Sequence, residues 1–377
     1  MDGHPNPSAI RVIAPCLGKR FSGINASMIA VLPELNRAVP IAALGFHIPP
    51  HVPRIGFRQF LGLRLCGAWR IWHARRNMDM LVGLVLRRIL RFKILLVFTS
   101  AAQRPHSWIT RWYVHRMDAL ICPTAAAASF LDRPAQVVSH GVNTRVFHPP
   151  ADRSAEWAAR GLPGRYGIGV FGRLRPQKGT QEFVEAMIRV LPQRPGWTAV
   201  LVGQTTKEFL PFERRMRARL SQAGLDDRVV FTGFLKDPQD VPAWYRAMSV
   251  VVCPSRVEGF GLPCLEAMAS GCPVVATRTG AWPELIREGE DGYLVPCQDV
   301  SALADAILKV TADPARLDPM GRSAREKVAS RYRIEDEAAG ILAVYEHLFA
   351  RHGTAMTQEN GGEPSDGRTV NGTTVRG

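Results

Sequence analysis

Short apolar runs alternate with amphipathic stretches of helical length along most of the chain. The apolar runs are bounded by Gly, Pro and polar residues, as is typical of buried strands. Strand, helix and strand repeated in this rhythm predict parallel sheets with helices on both faces. There are enough runs for two sheets: AIRVIAP, AVPIAALG, KILLVFTS and DALICPT come first, followed by GIGVFG, WTAVLVG, RVVFTG, SVVVCPS and CPVVAT.

A segment rich in Pro, Gly and polar residues, at 148–167, separates the two sets of runs. A chain of 377 residues is too long for one ordinary hydrophobic core, so this segment is predicted to join two domains. The end of the chain lacks both periodicity and apolar residues, which predicts disorder. We predict α/β domains over 1–160 and 161–333, a terminal helix over 334–352 and a disordered tail over 353–377.

Positive charge is concentrated in the first predicted domain. Residues 1–160 contain 21 Lys and Arg against 7 Asp and Glu, a net charge of +14, whereas the whole chain carries +15. This asymmetry predicts an anionic partner for the first domain, which could be nucleic acid, a membrane surface or a phosphorylated substrate. Charge alone does not choose among the three.

The most apolar stretch, at 80–100, is interrupted by four basic residues and is predicted to form a helix, a turn and a buried strand instead of a membrane span. The N-terminus has no apolar core of signal-peptide length, which argues against secretion. Seven scattered cysteines without a Cys-x-x-Cys pair argue against a disulfide framework and a zinc site. These features favour a cytosolic protein.

The stretch CPSRVEGFGLPCLEAMASGCPVVAT, at 253–277, predicts a strand, a loop and a helix in close succession. Gly259 and Gly261 let the backbone approach a ligand, and the start of the helix offers N–H groups to a phosphate. Glu258 and Glu266, with seven residues between them, could accept hydrogen bonds from hydroxyl groups over the same crevice. In the alternative interpretation, Glu258 caps the helix and Glu266 is solvated.

A second cluster, FGRLRPQKGT, follows the strand GIGVF and carries Arg173, Arg175 and Lys178. Basic residues after a parallel strand face the crevice in which open α/β sheets bind ligands. Arg173 and Lys178 are therefore candidates to bind a diphosphate, whereas a solvated basic turn is the alternative. The glycines of GIGVFG fall inside the strand and not after it, which argues against a dinucleotide-binding fingerprint.

The first domain carries basic and aromatic residues after its predicted strands, a mixture that could bind RNA, a lipid headgroup or a phosphorylated sugar. A solvated helix face remains the default for any one of them, and Gly23 and His140 are as easily structural. The chain has no Asp-x-Asp and no His, Asp and Glu spacing typical of a divalent metal site, so we predict neither a metal nor a cofactor. The candidates on this side are Gly23, His73, Arg75, Arg76, Arg104 and His140.

The second half resembles the GT4-type retaining glycosyltransferases, whose signature is two Glu separated by seven residues. Two stretches together carry this resemblance: FGRLRPQKG and PSRVEGFGLPCLEAMASGCPVVATRTGAWPELIREGEDGYLV. The resemblance implies the GT-B fold: two Rossmann-like domains facing a cleft, with a C-terminal helix that crosses back to the first. A nucleotide-sugar would bind the second domain and an acceptor the first.

The same resemblance implies a role for each signature residue. Arg173 and Lys178 would hold the diphosphate, Glu258 the hydroxyls of the transferred sugar and Glu266 the ribose. Arg173, Lys178 and Glu258 are the predicted catalytic residues. The donor-binding residues would be Gly259, Phe260, Gly261, Leu262 and Glu266.

The first half resembles alphaproteobacterial lipopolysaccharide core mannosyltransferases. Three stretches carry this resemblance: IWHARRNMDMLVGLVLR, LLVFTSAAQRPHSWITRWYVHRMDALI and VVSHGVNTRVFHP. This resemblance covers roughly residues 10–350. It implies GDP-mannose as donor, a lipid-linked acceptor containing Kdo, and an enzyme peripheral to the cytoplasmic face of the inner membrane. The chain departs from many GT4 enzymes in one place, because Ser100 and Ala101 stand where those enzymes carry a His.

Three alternatives remain open. The donor could be a UDP-linked sugar used with another glycolipid acceptor, or the protein could be a nucleotide-sugar epimerase. From another class, it could be a basic RNA-binding protein, but that function leaves the two Glu and the basic loop unexplained. We therefore predict no nucleic-acid partner.

Overall fold

Two parallel six-stranded sheets form the framework of the protein in a computed structural model that describes residues 7–18, 23–235, 237 and 239–356. The first sheet has the order β2-β1-β3-β4-β5-β6. Its strands are β1 (Val12–Cys16), β2 (Ile41–Gly45), β3 (Arg70–Ala74), β4 (Ile94–Thr99), β5 (Ala119–Cys122) and β6 (Gln136–Val137).

The second sheet has the order β12-β11-β10-β7-β8-β9. Its strands are β7 (Tyr166–Phe171), β8 (Trp197–Val202), β9 (Val229–Gly233), β10 (Val250–Cys253), β11 (Val274–Thr277) and β12 (Gly292–Val295). The two parallel sheets confirm the fold class predicted from the alternating apolar runs.

Helices cover both faces of each sheet. Those between the strands of the first sheet are α1 (Gly23–Leu35), α2 (Phe57–Gly62), α3 (Asn77–Arg88), α4 (Trp108–Val114) and α5 (Ala125–Ala128). The later helices are α6 (Arg153–Ala158), α7 (Thr180–Val190), α8 (Leu210–Gln222), α9 (Asp240–Ala247), α10 (Leu262–Ala269), α11 (Trp282–Leu285), α12 (Val300–Val310), α13 (Leu317–Arg331) and α14 (Ile334–Arg351).

The strand orders determine where a ligand can bind. In the second sheet, successive strands run outward from β7 in one direction and from β10 in the other, so the order reverses between these two neighbours. Open α/β sheets bind ligands at such a switch point, outside the carboxyl ends of the strands. The loops after β7 and β10 are the two that carry the predicted donor-binding residues.

The apolar stretch at 80–100 forms the end of α3, a turn and the fully buried strand β4, as predicted. Its basic residues Arg87 and Arg88 fall in the last turn of α3, where positive charge is favourable to the helix dipole. None of the helices in the described part of the chain is long and apolar enough to span a membrane.

Helix α14 crosses back from the second domain to the first, as predicted. It packs against α1, and its Tyr345 and Phe349 are buried in the core cluster that also contains Val12, Ile41 and other residues of the first sheet. A β-bridge between Val142 and Arg333 joins the chain just before this helix to the end of the first domain. The crossover is therefore fixed by apolar burial as well as by backbone pairing.

Two segments make contacts across the predicted domain boundaries, and the boundaries themselves stay a prediction. Helix α6 lies within the predicted first domain but packs with α9 and β7, and its Trp157 is buried in a core cluster of the second domain. At the other end, the Arg11 guanidinium donates a 2.6 Å hydrogen bond to the carbonyl of Ala355, inside the predicted tail. The rest of that tail, 357–377, lies outside the described residues.

Candidate active site

The loops after β7 and β10 are packed directly against each other. A short 3₁₀ helix, Pro176–Lys178, lies in the first loop and ends at Gly179, which has a positive φ of 69°. A Cβ at Gly179 would lie 1.9 Å from the carbonyl oxygen of Pro254, just after β10. Only glycine permits both the backbone conformation and this approach, so Gly179 holds the two loops in contact.

This packing brings two of the predicted catalytic residues together. The Lys178 ammonium donates a hydrogen bond to Oε2 of Glu258, and the Ser255 hydroxyl donates to the same oxygen at 3.3 Å. Both side chains of the ion pair keep some contact with solvent. Arg173, the third predicted residue, lies partly exposed in the loop that carries Lys178.

The loop after β10 ends in a helix start suited to an anion. Helix α10 has no side-chain cap and no acidic residue in its first turn, so nothing on the helix neutralises the positive end of its dipole. Gly261 immediately precedes the helix with a φ of 97°, and a Cβ there would lie 2.1 Å from Nε1 of Trp282. The same indole N–H donates to the Gly261 carbonyl at 3.1 Å, which fixes the backbone of this turn.

Glu266, in the second turn of α10, is held by a tyrosine. The Tyr245 hydroxyl donates a 2.8 Å hydrogen bond to Oε2 of Glu266, and its ring stacks on Phe171 with 3.6 Å between ring centroids. Burial raises the pKa of Glu266 to about 7, although the hydrogen bond from Tyr245 opposes this change. The carboxyl group therefore titrates close to neutral pH.

Sequence analysis did not identify Tyr245 or Gln103. The Gln103 side-chain amide, in the loop after β4, donates to the Gly259 carbonyl at 3.2 Å and thus joins the first domain to the signature loop. Its position just beyond the carboxyl end of a strand was the only sequence signal. In the same loop, Ser100 Oγ lies 3.3 Å from Nε2 of His106, the pKa of which is lowered chiefly by burial and also by Arg104.

His140 and the signature loop meet at the crossover helix. The Phe260 ring is buried and lies edge-on to the His140 ring, with 5.1 Å between centroids. Nδ1 of His140 lies 2.7 Å from Oε1 of Glu337, and the Gly141 N–H donates to Oε2 at 2.8 Å. Glu337 belongs to α14, so one buried carboxylate links the last loop of the first domain to that helix.

The structure places His73 inside the first domain. Nδ1 of His73 lies 2.6 Å from the Tyr345 hydroxyl on α14, and Nε2 lies 2.7 Å from Oγ1 of Thr99. Burial lowers the pKa of His73 well below its usual range, so the ring is neutral. Both ring nitrogens are already hydrogen-bonded, so a role of His73 at the acceptor, which stays a prediction, would require one of these two partners to be displaced.

The other acceptor-side candidates are divided between two places. The buried Arg75 guanidinium donates to Ser27 Oγ at 3.1 Å, and Arg76 donates to Asn25 Oδ1, so both reach the first turn and a half of α1. Gly23, at the exposed start of that helix, therefore lies in the same region. Arg104 is exposed in the loop after β4, away from this group in the chain.

Within the described ranges, no group of three or more His, Cys, Asp and Glu side chains could hold a metal ion. The positive groups of the site are instead Arg173, Lys178 and the start of α10. They can offset the charge of a diphosphate, while Glu258 and Glu266 can accept hydrogen bonds from sugar hydroxyls.

The chain is similar to known glycosyltransferases in sequence and in fold. Residues 165–313 match the family described as glycosyl transferases group 1. The chain is 44% identical to the lipopolysaccharide core biosynthesis mannosyltransferase LpcC of Rhizobium leguminosarum bv. viciae, over 92% of this chain and 98% of the relative. It is 41% identical to LpsB of Rhizobium meliloti (strain 1021), which carries the same description, over 90% of this chain and 98% of the relative.

A solved structure of Anabaena Alr3699/HepE in complex with UDP and glucose superposes with a TM-score of 0.78, at 20% identity, over 90% of this chain and all of that one. That similarity supports the GT-B fold, and the extent of the identity to the two Rhizobium enzymes supports the family. The chain therefore belongs to the group 1 glycosyltransferases.

Proposed function

We propose that the enzyme transfers mannose from GDP-mannose to the Kdo region of a lipopolysaccharide inner-core precursor. The transfer would retain the anomeric configuration and require no metal ion. The names of the two Rhizobium relatives suggest mannose as the transferred sugar and the lipopolysaccharide core as the product, and the resemblance of the first half suggests GDP-mannose and a Kdo-containing acceptor. The geometric observation on which the proposal depends is the contact between Lys178 and Glu258 beside the uncapped start of α10.

In this proposal the diphosphate of the donor binds among Arg173, Lys178 and the N–H groups at the start of α10. These groups are fixed before the reaction, because Gly179 and Gly261 hold the two loops against their neighbours. Charge develops on the diphosphate as the bond to the sugar opens. Pre-positioned positive groups stabilise that charge without the cost of reorganising water.

The two carboxylates would bind the two sugars of the donor. Glu258 accepts hydrogen bonds from the hydroxyls of the transferred mannose, and its contact with Lys178 places this recognition next to the departing phosphate. Glu266 accepts from the ribose hydroxyls while Tyr245 occupies Oε2 and fixes the carboxyl plane. Oε2 keeps a second lone pair beside the Tyr245 hydrogen bond, so the ionised carboxylate can accept from both hydroxyls of a diol, whereas protonation removes acceptor capacity; we therefore expect donor binding to depend on the ionisation of Glu266.

The reaction itself would be a direct transfer. The acceptor hydroxyl forms the new bond to the anomeric carbon from the same face as the leaving diphosphate, while the bond from that carbon to the phosphate oxygen breaks. The hydroxyl proton passes to the departing phosphate oxygen. No side chain is assigned as a nucleophile in this mechanism.

The first domain would bind the acceptor at an anionic membrane. Its net charge of +14 favours an acceptor that carries phosphates and carboxylates, as a Kdo-containing lipid A precursor does. Each basic residue near an anionic leaflet contributes about 1 kcal/mol to association. We therefore place the enzyme on the cytoplasmic face of the inner membrane, as a peripheral protein.

The first test is the thermal stability of the purified protein with a panel of nucleotides and nucleotide-sugars in the presence of EDTA. We expect GDP and GDP-mannose to raise Tm, because a ligand at one hundred times its Kd stabilises the folded state by about 2.7 kcal/mol. If UDP-sugars alone raise Tm, the donor assignment is wrong. If stabilisation by GDP-mannose requires a divalent cation, the metal-independent mechanism is wrong.

The second test is the anomeric configuration of the product, measured by NMR after reaction with a Kdo-containing lipid A precursor. Product with the configuration of the donor supports the mechanism, and inverted product rejects it. Binding of RNA that weakens steeply with salt and is indifferent to nucleotide-sugars would instead favour the nucleic-acid alternative.

A further inference from the structure

Exposed apolar side chains are concentrated on one part of the first domain. Of the 18 large hydrophobic side chains exposed in the described part of the chain, 12 lie between Phe46 and Trp112. The second domain contributes three, at Leu210, Phe234 and Val257. Large apolar surface exposed in one region marks an interaction site more often than scattered single residues do.

Eight of these 12 side chains belong to three helices, α2, α3 and α4. The inner sides of α2, α3 and α4 are buried in the same core cluster, through Phe60, Met80, Leu84 and Val114. Helices α1 and α14 belong to a different cluster, which covers the opposite face of the sheet. The outer sides of α2, α3 and α4 therefore face solvent together, on the side of the domain away from the crossover helix.

Helices α3 and α4 form the centre of this layer. Leu81, Val85 and Ile89 follow one another at intervals of four residues and form a single stripe along the outside of α3 and its end. Asn77, at the start of α3, donates a 2.8 Å hydrogen bond to Thr110 of α4. We define the apolar-basic face by its exposed residues Leu81, Val85, Ile89, Trp108, Ile109 and Trp112.

The charge around this face is mainly positive, although Asp118 pairs with Arg87 and Asp132 lies beside His115 and Arg111. Residues 46–117 contain 13 Lys and Arg but a single acidic residue, Asp79, which is buried. Arg88, Arg91, Arg104 and Arg111 are exposed beside the apolar side chains. Just after the end of α4, the Arg116 guanidinium stacks on the ring of Trp112, 3.6 Å from the ring centroid.

We propose that the apolar-basic face inserts into the interfacial layer of an anionic lipid bilayer. Tryptophan prefers the headgroup level of a membrane, where its ring is buried and its N–H stays hydrated. Arginine beside it can pair with lipid phosphates, whereas aliphatic tips enter the acyl boundary. A second copy of the chain fits this face poorly, since residues 46–117 carry 13 basic residues and pairing two such faces would bring mainly positive surfaces together.

Insertion of the apolar-basic face differs from attraction by net charge alone, because the membrane contact is made by particular helices and the apolar side chains take part in it. It also places the bilayer next to the cleft. Trp108 follows Gln103 by five residues, and Gln103 contacts the Gly259 carbonyl of the signature loop. If the proposed function is correct, an acceptor anchored in the leaflet could therefore reach the cleft without leaving the membrane.

Flotation of the full chain with lipid vesicles tests the proposal without donor or acceptor. The vesicles contain phosphatidylcholine alone or with phosphatidylglycerol, at low and at high ionic strength. We expect wild-type protein to float with the anionic vesicles and to retain part of this binding at high salt, where electrostatic attraction is screened. Vesicles with brominated acyl chains should quench part of the tryptophan fluorescence.

The test variant is Trp108→Ser combined with Ile89→Ser, since these side chains are 73% and 70% exposed and their loss leaves no cavity. We expect it to lose at least tenfold in salt-resistant flotation and to lose most of the quenching. Phe234→Ser is the matched control, because Phe234 is 66% exposed but belongs to the second domain. It should float like the wild type.

The proposal is overturned if the wild type does not float, if its flotation disappears entirely at high salt, or if the double variant floats as well as Phe234→Ser. It is also overturned if the double variant instead abolishes self-association measured by sedimentation. Stabilisation by nucleotides is measured on the same samples. A loss of flotation with unchanged stabilisation separates this proposal from the proposed function.

Discussion

The Tyr245 hydroxyl donates a 2.8 Å hydrogen bond to Oε2 of Glu266, in a site where burial raises the pKa of that carboxyl to about 7. The neighbouring ring of Phe171 stacks on Tyr245 and excludes water from one side of the pair. The hydrogen bond favours the ionised form and burial favours the neutral form. Glu266 is therefore poised between two states that differ in how they bind a diol.

Replacing Tyr245 with Phe should weaken donor binding at neutral pH. The variant keeps the ring stack but loses the hydrogen bond that lowers the pKa of Glu266, so a larger fraction of the carboxyl is protonated. We expect the Kd for the nucleotide-sugar to rise several-fold at pH 7 and to approach the wild-type value at higher pH. Calorimetric titration across pH measures this, and a Kd ratio that does not change with pH contradicts it.

Glu266 also predicts how stability depends on pH. Because the pKa of Glu266 is raised from 4.5 to about 7 in the folded state, the folded state holds the proton more tightly than the unfolded state does. The resulting stabilisation is fully present below pH 4.5 and is lost as pH rises through about 7. A shift of this size corresponds to at most about 3 kcal/mol. Gln does not titrate, so without ligand the free energy of unfolding of Glu266→Gln, compared with that of the wild type, should increase as pH is raised from 5 to 8. Urea unfolding at several pH values would show this. An equal pH dependence in both proteins would contradict the prediction.

The ion pair of Lys178 and Glu258 should act as one unit in turnover. Removing one preorganised group that stabilises charge in a transition state costs roughly 10²- to 10³-fold in kcat. We expect losses of this order for Lys178→Ala and for Glu258→Gln, with a double variant much less impaired than the product of the two losses. Arg219→Ala is the control, since Arg219 lies in the last turn of α8, which leads to the amino end of β9 and away from the loops, and pairs with Glu185 at the surface. Strictly multiplicative losses would show that the two residues act independently.

The strands could be predicted because parallel strands buried on both faces are apolar throughout, as β4 is. Ligand groups then follow from the carboxyl ends of those strands. The crossover helix was expected from the resemblance, but its contacts were not. Glu337 stands in the polar sequence IEDE, and nothing local distinguishes it from its solvated neighbours.

The residues that sequence analysis missed depend on contacts between distant segments. Tyr245 follows an ordinary amphipathic pattern in α9, and only folding brings it to Glu266, 21 residues away. Gln103 meets Gly259 across 156 residues. His73 was predicted as a site residue because a basic residue follows apolar ones, and sequence alone could not show that both of its ring nitrogens are hydrogen-bonded inside the first domain.

The variant Tyr345→Phe should show whether His73 has a structural role or takes part in binding the acceptor. The variant keeps the packing of α14 but leaves Nδ1 of the buried His73 without its 2.6 Å partner. An unsatisfied buried group costs about 1–3 kcal/mol, so the free energy of unfolding should fall by that amount. We expect kcat and KM for the acceptor to stay within twofold of the wild type. A selective rise in the acceptor KM would instead return His73 to the acceptor site.

Gly261→Ala should damage the donor site through the backbone. The φ of 97° is strained for any residue with a Cβ, and that atom would lie 2.1 Å from the Trp282 indole, which is itself fully buried and cannot move aside. We expect a loss of stability of about 1–3 kcal/mol and weaker binding of the donor diphosphate, since the N–H groups at the start of α10 shift with the turn.

Gly62→Ala provides the matched control, because Gly62 ends helix α2 with a helical φ of −62° and an added Cβ meets no atom within 4 Å. That control should be neutral or slightly stabilising, as alanine restricts the unfolded chain. Urea unfolding and calorimetric titration with the nucleotide measure both effects, and a Gly261→Ala protein that binds the donor like the wild type would show that this turn does not contact the phosphates.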